Sequence, residues 1–176
     1  MTRLKPIDRP ASLLMRVVYW MSKRRFGKVL ALFNVLYVRS SPLLFVATKI
    51  ISTEKKLSLS ADTKLHIRSF VSYQNKCEYC SNLAEYTAQK ETVEFQKVKE
   101  LMNFRVSNLY SEKEKALFLY LEEICLTKFV KDETFNGLRR FYDEKEIVEI
   151  TWLSATEHYF NLLAEPLGMN SDELKV

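Results

Sequence analysis

The chain is predicted to be all-α, and three features of its sequence indicate this fold class. Gly occurs three times and Pro four times in 176 residues, which leaves little material for the tight turns of a β-sandwich or barrel. Apolar residues recur at helical spacing along most of the chain, and no useful stretch shows strand-like alternation. Hydrophobic residues make up 47% of the sequence, enough for the core of one domain. We therefore expect about seven or eight helices.

The N-terminal helices are predicted from residues that can begin or end them. Ser12 can cap the first helix, and Gly27 can end it in a left-handed conformation. Ser41 followed by Pro42 is the favoured order of an N-cap residue and a first-turn proline. The helices expected in this part of the chain cover residues 13–26, 29–38 and 41 to about 56.

Capping patterns also place the later helices. Ser111–Glu114 and Asp143–Glu146 have the spacing of a capping box and begin two long apolar stretches. Ser60 and Asp132 can each cap a shorter helix, and Pro166 ends the last one. The stretches expected to be helical are 61–74, 77 to beyond 88, 91–104, the segment containing 116–129, 133–141 and 147–164.

Charge is distributed unevenly along the sequence. Residues 1–56 hold 12 Lys and Arg against two acids, a net charge of +10, whereas residues 57–176 have a net charge of −5. We interpret 1–56 as a basic helical segment that packs on a core formed by 57–176. The basic segment could contact another subunit, an anionic membrane surface or nucleic acid, or its charges could simply border an amphipathic helix.

Two of these partners are less well supported by sequence. No nucleic-acid-binding motif is recognisable, so no nucleic-acid partner is predicted. The aromatic residues of the segment have helical spacing typical of core positions; they are Tyr19, Trp20, Phe26, Phe33 and Tyr37. The longest uncharged apolar runs are about ten residues, against the roughly 20 that a membrane span requires. With no secretory signal recognisable either, we expect a cytoplasmic protein that is not integral to a membrane.

The motif with the clearest chemistry is Cys77-Glu78-Tyr79-Cys80. A helix beginning at Cys77 would place backbone N–H groups and the positive end of the helix dipole near its sulfur, and Lys76 adds a cation. Both features favour the thiolate, the reactive species in disulfide exchange. The three-residue spacing brings Cys80 to the same face, within reach of a disulfide.

Two other readings of the pair remain open from its spacing. Structural zinc usually needs four ligands, and the remaining Cys125, His66 and His158 have no paired spacing, so no metal is predicted. The cysteines could instead be small buried hydrophobic residues. No cofactor is predicted.

Several segments resemble the carboxymuconolactone decarboxylase family, in its alkyl hydroperoxidase D-like branch. Val71–Cys80 is similar to the family pattern in which one helix ends and the next begins with Cys-x-Tyr/Phe-Cys. The closing helix of the family is similar to Glu144–Ile150, Glu157–Asn161 and Ala164–Gly168, and Tyr19–Lys28 resembles leader helices of some members. The resemblance implies an alkyl hydroperoxidase D-like helical bundle and a homo-oligomer, either a dimer, a trimer or a hexamer. It also implies peroxidase or disulfide-reductase activity.

The sequence departs from the family at the proton relay. The family's relay Glu and two His residues correspond to Leu65, Tyr79 and Ala84, and the acid that many relatives use instead corresponds to Asn82. General acid–base assistance contributes about 10²–10⁴-fold to a rate, so its source matters. The residues that could support the cysteines are Glu157, Asn82, Tyr79, His66 and His158, of which Glu157 is the leading candidate.

The sequence therefore predicts a thiol-dependent peroxidase or thiol–disulfide oxidoreductase of antioxidant defence, with Cys77 and Cys80 as the catalytic pair. A peroxide or oxidised thiol would be the substrate, and a partner protein could be the reductant. Which cysteine reacts first stays open, because the helix start favours Cys77 and the resemblance favours Cys80. The alternative is a catalytically weak or inactive member of the family that acts as an oligomeric scaffold or partner-binding protein.

Overall fold

The computed structural model describes residues 2–90, 95–169, 172 and 174, and these residues form helices without any strand. Within these described residues the eight α-helices are α1 Leu13–Phe26, α2 Ser41–Glu54, α3 Ala61–Gln74, α4 Glu78–Lys90, α5 Phe95–Glu100, α6 Glu112–Thr127, α7 Asp132–Arg139 and α8 Glu144–Ala164. The shorter elements are a π-helix over Leu32–Tyr37 and 3₁₀ turns over Leu101–Asn103 and Glu165–Leu167. The all-α prediction and the expected number of helices are confirmed.

Three of the predicted N-caps form side-chain hydrogen bonds at the starts of their helices. The Ser60 side chain accepts a hydrogen bond from the backbone N–H of Thr63 at the start of α3. Both capping boxes form, with Ser111 at the start of α6 and Asp143 at the start of α8. Gly27 ends α1 with a φ of 75°, in the left-handed region that glycine occupies without steric cost.

Other boundaries differ from the prediction by one or a few residues. The N-cap of α2 is Ser40 rather than Ser41, and Pro42 lies in the first turn of the helix. Asp132 is the first residue of α7 rather than its cap, a position where its charge still suits the helix dipole. The expected 29–38 helix is shorter and is a π-helix, while 91–94, the start of the expected 91–104 helix, lies outside the described residues.

Helix α3 is the centre of the bundle, since it packs against α4, α6 and α8. Its Phe70 is stacked on Phe118 of α6 with the ring centroids 5.4 Å apart, and Phe104 and Tyr110 meet Phe118 edge to face. Such aromatic pairs contribute about 0.5–1.5 kcal/mol each beyond the area they bury. These contacts fix the position of α3 in the bundle, and α3 leads into the turn before the cysteines.

The N-terminal segment forms an apolar cluster of its own. Met15, Tyr19, Tyr37 and Ala47 are buried together, and Phe160 of α8 packs against them. Tyr19 and Tyr37 are thus core residues, as their spacing indicated, but Trp20 is 61% exposed because it lies on the opposite side of α1. The division of the chain at residues 56 and 57 stays a prediction.

None of the helices described here is both long enough and apolar enough to cross a membrane.

Candidate dithiol site

The turn between α3 and α4 positions the cysteine pair. The amide of Cys77 donates to the carbonyl of Ser72 at 2.9 Å, and the amide of Lys76 donates to the carbonyl of Tyr73 at 3.0 Å. These two bonds are the pair that defines a Schellman motif at a helix C-terminus. The motif requires a left-handed residue, and Lys76 occupies that position with a φ of 55°. The chain is therefore reversed within three residues, and Cys77 emerges at the start of α4.

Cys77 occupies the N-cap position of α4. Its carbonyl accepts the amide of Ser81 at 2.9 Å, and its sulfur accepts the amide of Cys80 at 3.3 Å. A cysteine sulfur thus does what a serine or aspartate oxygen does at an ordinary N-cap, which is to accept one of the unpaired amides of the first turn. The predicted helix-start environment of Cys77 is present, although α4 itself begins one residue later, at Glu78.

The two cysteines lie within disulfide reach of each other. Their Cα atoms are 5.3 Å apart, inside the range that disulfides occupy, and their sulfurs are at bonding distance. Cys77 is fully buried, whereas Cys80 retains 8% exposure. Cys80 is therefore the less completely buried residue of the pair.

The surroundings of the pair are largely apolar. Tyr79, Ala164 and Met169 are buried with the cysteines, and the partly buried residues that complete the cluster are Ala31, Leu32 and Leu167. The cover thus comes from four places in the sequence: the π-helix region, α4 itself, the last residue of α8 and the chain that follows α8. Such an environment excludes water from the sulfurs and strengthens the electrostatic effect of the Cys80 amide.

The positions of the family's proton relay contain no carboxylate or imidazole. Leu65, Tyr79 and Ala84 are all buried. Burial raises the pKa of Tyr79 well above its usual value, and the charge of Asp172 raises it further. A phenol with so high a pKa is a poor proton donor at neutral pH.

Asp172 is the acid that the sequence did not reveal. Its carboxylate accepts the backbone amide of Ala31 at 3.0 Å and lies close to the hydroxyl of Tyr79. Burial raises the pKa of Asp172, and the hydrogen bond from Ala31 opposes that effect. No motif surrounds Asp172 in the sequence, so only its distance from Tyr79 in space could identify it.

Glu157, the leading candidate from sequence, belongs to a polar network one step away from the sulfurs. Its carboxylate accepts the Ser72 hydroxyl at 2.8 Å, the Asn161 amide at 2.9 Å and the Arg68 guanidinium at 2.6 Å. Since Ser72 also accepts the amide of Cys77, this network fixes the turn that presents the cysteine. The position of Glu157 indicates support of the turn through Ser72. Its use as an acid or base stays a prediction.

A chain of amides leads from this network to the third cysteine. Asn161 accepts a hydrogen bond from the Asn75 side chain at 2.7 Å, and the same Asn75 nitrogen lies 2.8 Å from Nδ1 of His158. Because that nitrogen is a donor, Nδ1 is the acceptor and Nε2 of neutral His158 carries the proton. Nε2 lies 3.6 Å from Sγ of Cys125. His158 is therefore oriented towards Cys125.

Both partners of this contact are shifted towards their neutral forms. Burial raises the pKa of the Cys125 thiol to about 11. Burial also lowers the pKa of His158, and the charge of Lys128 adds to that effect. A neutral thiol beside a neutral imidazole suits a structural contact better than a nucleophile.

The two remaining sequence candidates lie in different places. His66 is buried against Phe118 in the main core, with Nδ1 3.8 Å from a carboxylate oxygen of Glu114. Asn82 accepts the backbone amide of Leu174 at 3.1 Å and so holds Leu174 against α4. The structure brings Tyr79 and Asn82 close to the pair on α4, and it places His66 in the core contact with α6. In the described part of the chain, no group of three or more acidic, Cys or His side chains is arranged to hold a metal ion.

The helical fold is similar to that of solved structures described as AhpD-like and peroxidase-related proteins. One is the AhpD-core, peroxidase-related protein of Ralstonia eutropha JMP134, with a TM-score of 0.78 and 16% identity, covering 98% of this chain and 93% of that one. Another is a cysteine-to-alanine variant of the debrominase Bmp8 in complex with 2,3,4-tribromopyrrole. Its TM-score is 0.82 at 18% identity, covering 98% of this chain and 93% of that one.

Sequence comparison identifies one curated relative of moderate similarity. The uncharacterised protein YdfG of Bacillus subtilis is 28% identical over 116 residues, which is 65% of this chain and 79% of YdfG. No protein-family model matches the chain. The fold implied by the resemblance is thus confirmed by structure rather than by sequence.

Proposed function

We propose that this protein is a thiol–disulfide oxidoreductase of the CxxC-containing, alkyl hydroperoxidase D-like kind, and that it reduces peroxides or oxidised thiols. The observation that carries the proposal is the position of Cys77 at the N-cap of α4, where its sulfur accepts the amide of Cys80 at 3.3 Å. This bond stabilises a thiolate on one sulfur while the other lies within disulfide distance. A pair within disulfide distance can alternate between dithiol and disulfide.

The chemistry balances as a two-electron reduction. A thiolate of the pair attacks one oxygen of a hydroperoxide, the O–O bond breaks, and the alcohol leaves after taking up a proton. The resulting sulfenic acid is attacked by the second cysteine, which forms the disulfide and releases water. The pair loses two electrons, and the peroxide gains them.

The dithiol is regenerated by thiol–disulfide exchange with an external thiol reductant. The incoming thiolate attacks Cys80, since Cys80 is the less completely buried member of the pair, and Cys77 leaves as the thiolate. The Cys80 amide favours this direction because it stabilises the departing sulfur. A second external thiol then resolves the mixed disulfide and is itself oxidised.

Thiol counting tests the proposal directly. The fully reduced protein has three thiols, and one equivalent of hydrogen peroxide or cumene hydroperoxide should leave one, that of Cys125. Cys77→Ser and Cys80→Ser should both abolish turnover, whereas the matched variant Cys125→Ser should keep it. Equal peroxide consumption by the parent and by both single variants would rule out the proposed chemistry.

A non-catalytic scaffold is the second candidate, favoured by the apolar surroundings of the pair and the Leu65, Tyr79 and Ala84 side chains at the relay positions. It predicts a pair whose redox state stays the same in glutathione buffers from about −150 to −300 mV. An oxidoreductase predicts a single two-electron transition within or near that range. The proposal also includes a homo-oligomeric state, which light scattering would test. It further includes a role in antioxidant defence, which the peroxide sensitivity of a deletion strain would test.

A further inference from the structure

Helix α1 is apolar on two opposite sides. Met15 and Tyr19 are buried against the N-terminal cluster. On the other side lies the outer face of α1, with exposures between 55% and 74%; its residues are Leu13, Val17, Trp20 and Met21. These residues recur at i, i+4, i+7 and i+8, the spacing that aligns side chains along one face of a helix. A continuous apolar strip is thus presented to solvent.

Cations border the outer face of α1 on both sides. Arg16 and Lys23 lie along one edge and Arg25 along the other, and all three are exposed. Arg24, also exposed, lies over the ring of Trp20 with its guanidinium carbon 5.7 Å from the ring centroid. The helix Leu13–Phe26 contains no acidic residue.

The groove beside this face has the same character. It lies between the chain that precedes α1 and the helix itself. Arg9, Arg16 and Lys23 line it together with Trp20, and Asp8 contributes an acid. Positive charge therefore extends from the edge of α1 onto the segment that precedes this helix.

These observations fit one kind of partner better than its competitors. A symmetric contact between two copies through this face would bring Arg16, Lys23 and Arg24 of one copy near the same residues of the other, and like charges at an interface are unfavourable. A nucleic acid would leave the apolar strip without a partner. The surface of an anionic membrane offers both apolar and negatively charged groups at the same depth.

We propose that the outer face of α1 binds the surface of anionic phospholipid membranes. The helix lies parallel to the membrane plane, with Leu13, Val17, Trp20 and Met21 at the boundary between head groups and acyl chains. Arg16, Lys23 and Arg25 extend sideways to the lipid phosphates and carboxylates, as long basic side chains do at such boundaries. This binding is peripheral and does not depend on the redox chemistry of Cys77 and Cys80.

Flotation of the full chain with vesicles tests the proposal. The protein should bind vesicles of phosphatidylcholine with about 30 mol % phosphatidylserine, and binding should fall steeply as NaCl rises from about 0.05 to 0.5 M. Arg16→Glu with Lys23→Glu should weaken the partition coefficient roughly 30-fold or more. The matched control is Lys131→Glu with Arg140→Glu, which reverses the charge of two exposed residues outside α1. This variant should change the partition coefficient little.

A second measurement reports insertion of the apolar strip. In a Trp152→Phe background, fluorescence of Trp20 should shift to the blue on anionic vesicles and should be quenched by brominated acyl chains. Trp20→Ser with Met21→Ser should lose vesicle binding while keeping the far-UV circular dichroism spectrum, since both side chains are exposed.

Three results would overturn the proposal. One is absence of binding to anionic vesicles at low salt. A second is equal binding by the parent and by the Arg16→Glu, Lys23→Glu variant. The third is a fall in molar mass by light scattering for Trp20→Ser with Met21→Ser in the absence of lipid, which would identify the strip as a contact between copies of this chain.

Discussion

The amide of Cys80 donates a hydrogen bond to the sulfur of Cys77 at 3.3 Å, so the two cysteines of the motif are chemically unequal. The sulfur of Cys77 accepts a backbone donor and lies at the positive end of the α4 dipole. Cys80 lies within the first turn of α4 and is the less completely buried of the two residues. The sequence left the order of reaction open, and this inequality turns that question into measurable differences.

The first prediction concerns thiolate formation at the two positions. In a Cys125→Ser background, thiolate absorbance near 240 nm should appear at lower pH in Cys80→Ser than in Cys77→Ser. The reason is that the donor to Cys77 is a backbone amide and survives replacement of the Cys80 side chain. The reverse order would show that the helix start does not control the reactivity of the pair.

The second prediction concerns Arg68, which pairs with Glu157 at 2.6 Å and with Glu54 of α2. Burial alone would lower the pKa of Arg68, but the two carboxylates hold it above its usual value. Arg68→Leu removes the cation that pairs with the buried Glu157 side chain, so urea unfolding should show a loss of about 3–5 kcal/mol.

The control for Arg68 is another arginine with a carboxylate partner. Arg105 pairs with Glu122, but its side chain is 58% exposed. Arg105→Leu should therefore cost less than about 1 kcal/mol. Similar losses for the two variants would mean that burial of the Arg68 cluster contributes little to stability.

The third prediction uses the raised pKa of Cys125, about 11 because the thiol is buried. In a Cys77→Ser, Cys80→Ser variant, alkylation of Cys125 should accelerate about ten-fold per pH unit from 7 to 10, since only the thiolate reacts and its fraction rises until the pKa is reached. A rate that levels off near pH 8.5, the value of a free cysteine, would show that burial does not suppress ionisation at this position.

The fourth prediction concerns Met169, which is 3% exposed and packs against the cysteine pair. Met169→Ala removes part of the apolar cover, so the disulfide should be reduced by dithiothreitol several-fold faster, well below the unfolding midpoint. Met102→Ala is the matched control, because Met102 is 44% exposed elsewhere in the fold. Unchanged rates in both variants would indicate that access to the disulfide does not pass through Met169.

Local signals in the sequence predicted much of the fold. Ser60, Ser111 and Asp143 each act within three residues of themselves, and the structure shows each of them capping the helix that was expected. The pair Cys77 and Cys80 was identified for the same reason, because its geometry depends on a single helical turn. A cap or a cysteine pair can be predicted from sequence when the residues that form it are neighbours in the chain.

The rest of the site depends on contacts between distant residues. Asp172 reaches Ala31 across the fold, and Glu157 finds Arg68 and Ser72 on another helix. Hydrophobic spacing gave both faces of α1 the same apolar pattern, and only the packing shows that Tyr19 is buried while Trp20 is exposed. No periodicity in the sequence contains that information.

Lys76 has two opposing effects: its left-handed conformation lowers the stability of the protein, and its charge lies next to the cysteine pair. Glycine would adopt a φ of 55° freely, whereas a residue with a side chain gives up about 1–2 kcal/mol there. The lysine, however, brings a positive charge to the residue next to the buried sulfur of Cys77. Replacing Lys76 with glycine would relax the turn and remove the cation. The variant should therefore be more stable, and its dithiol should be less reactive.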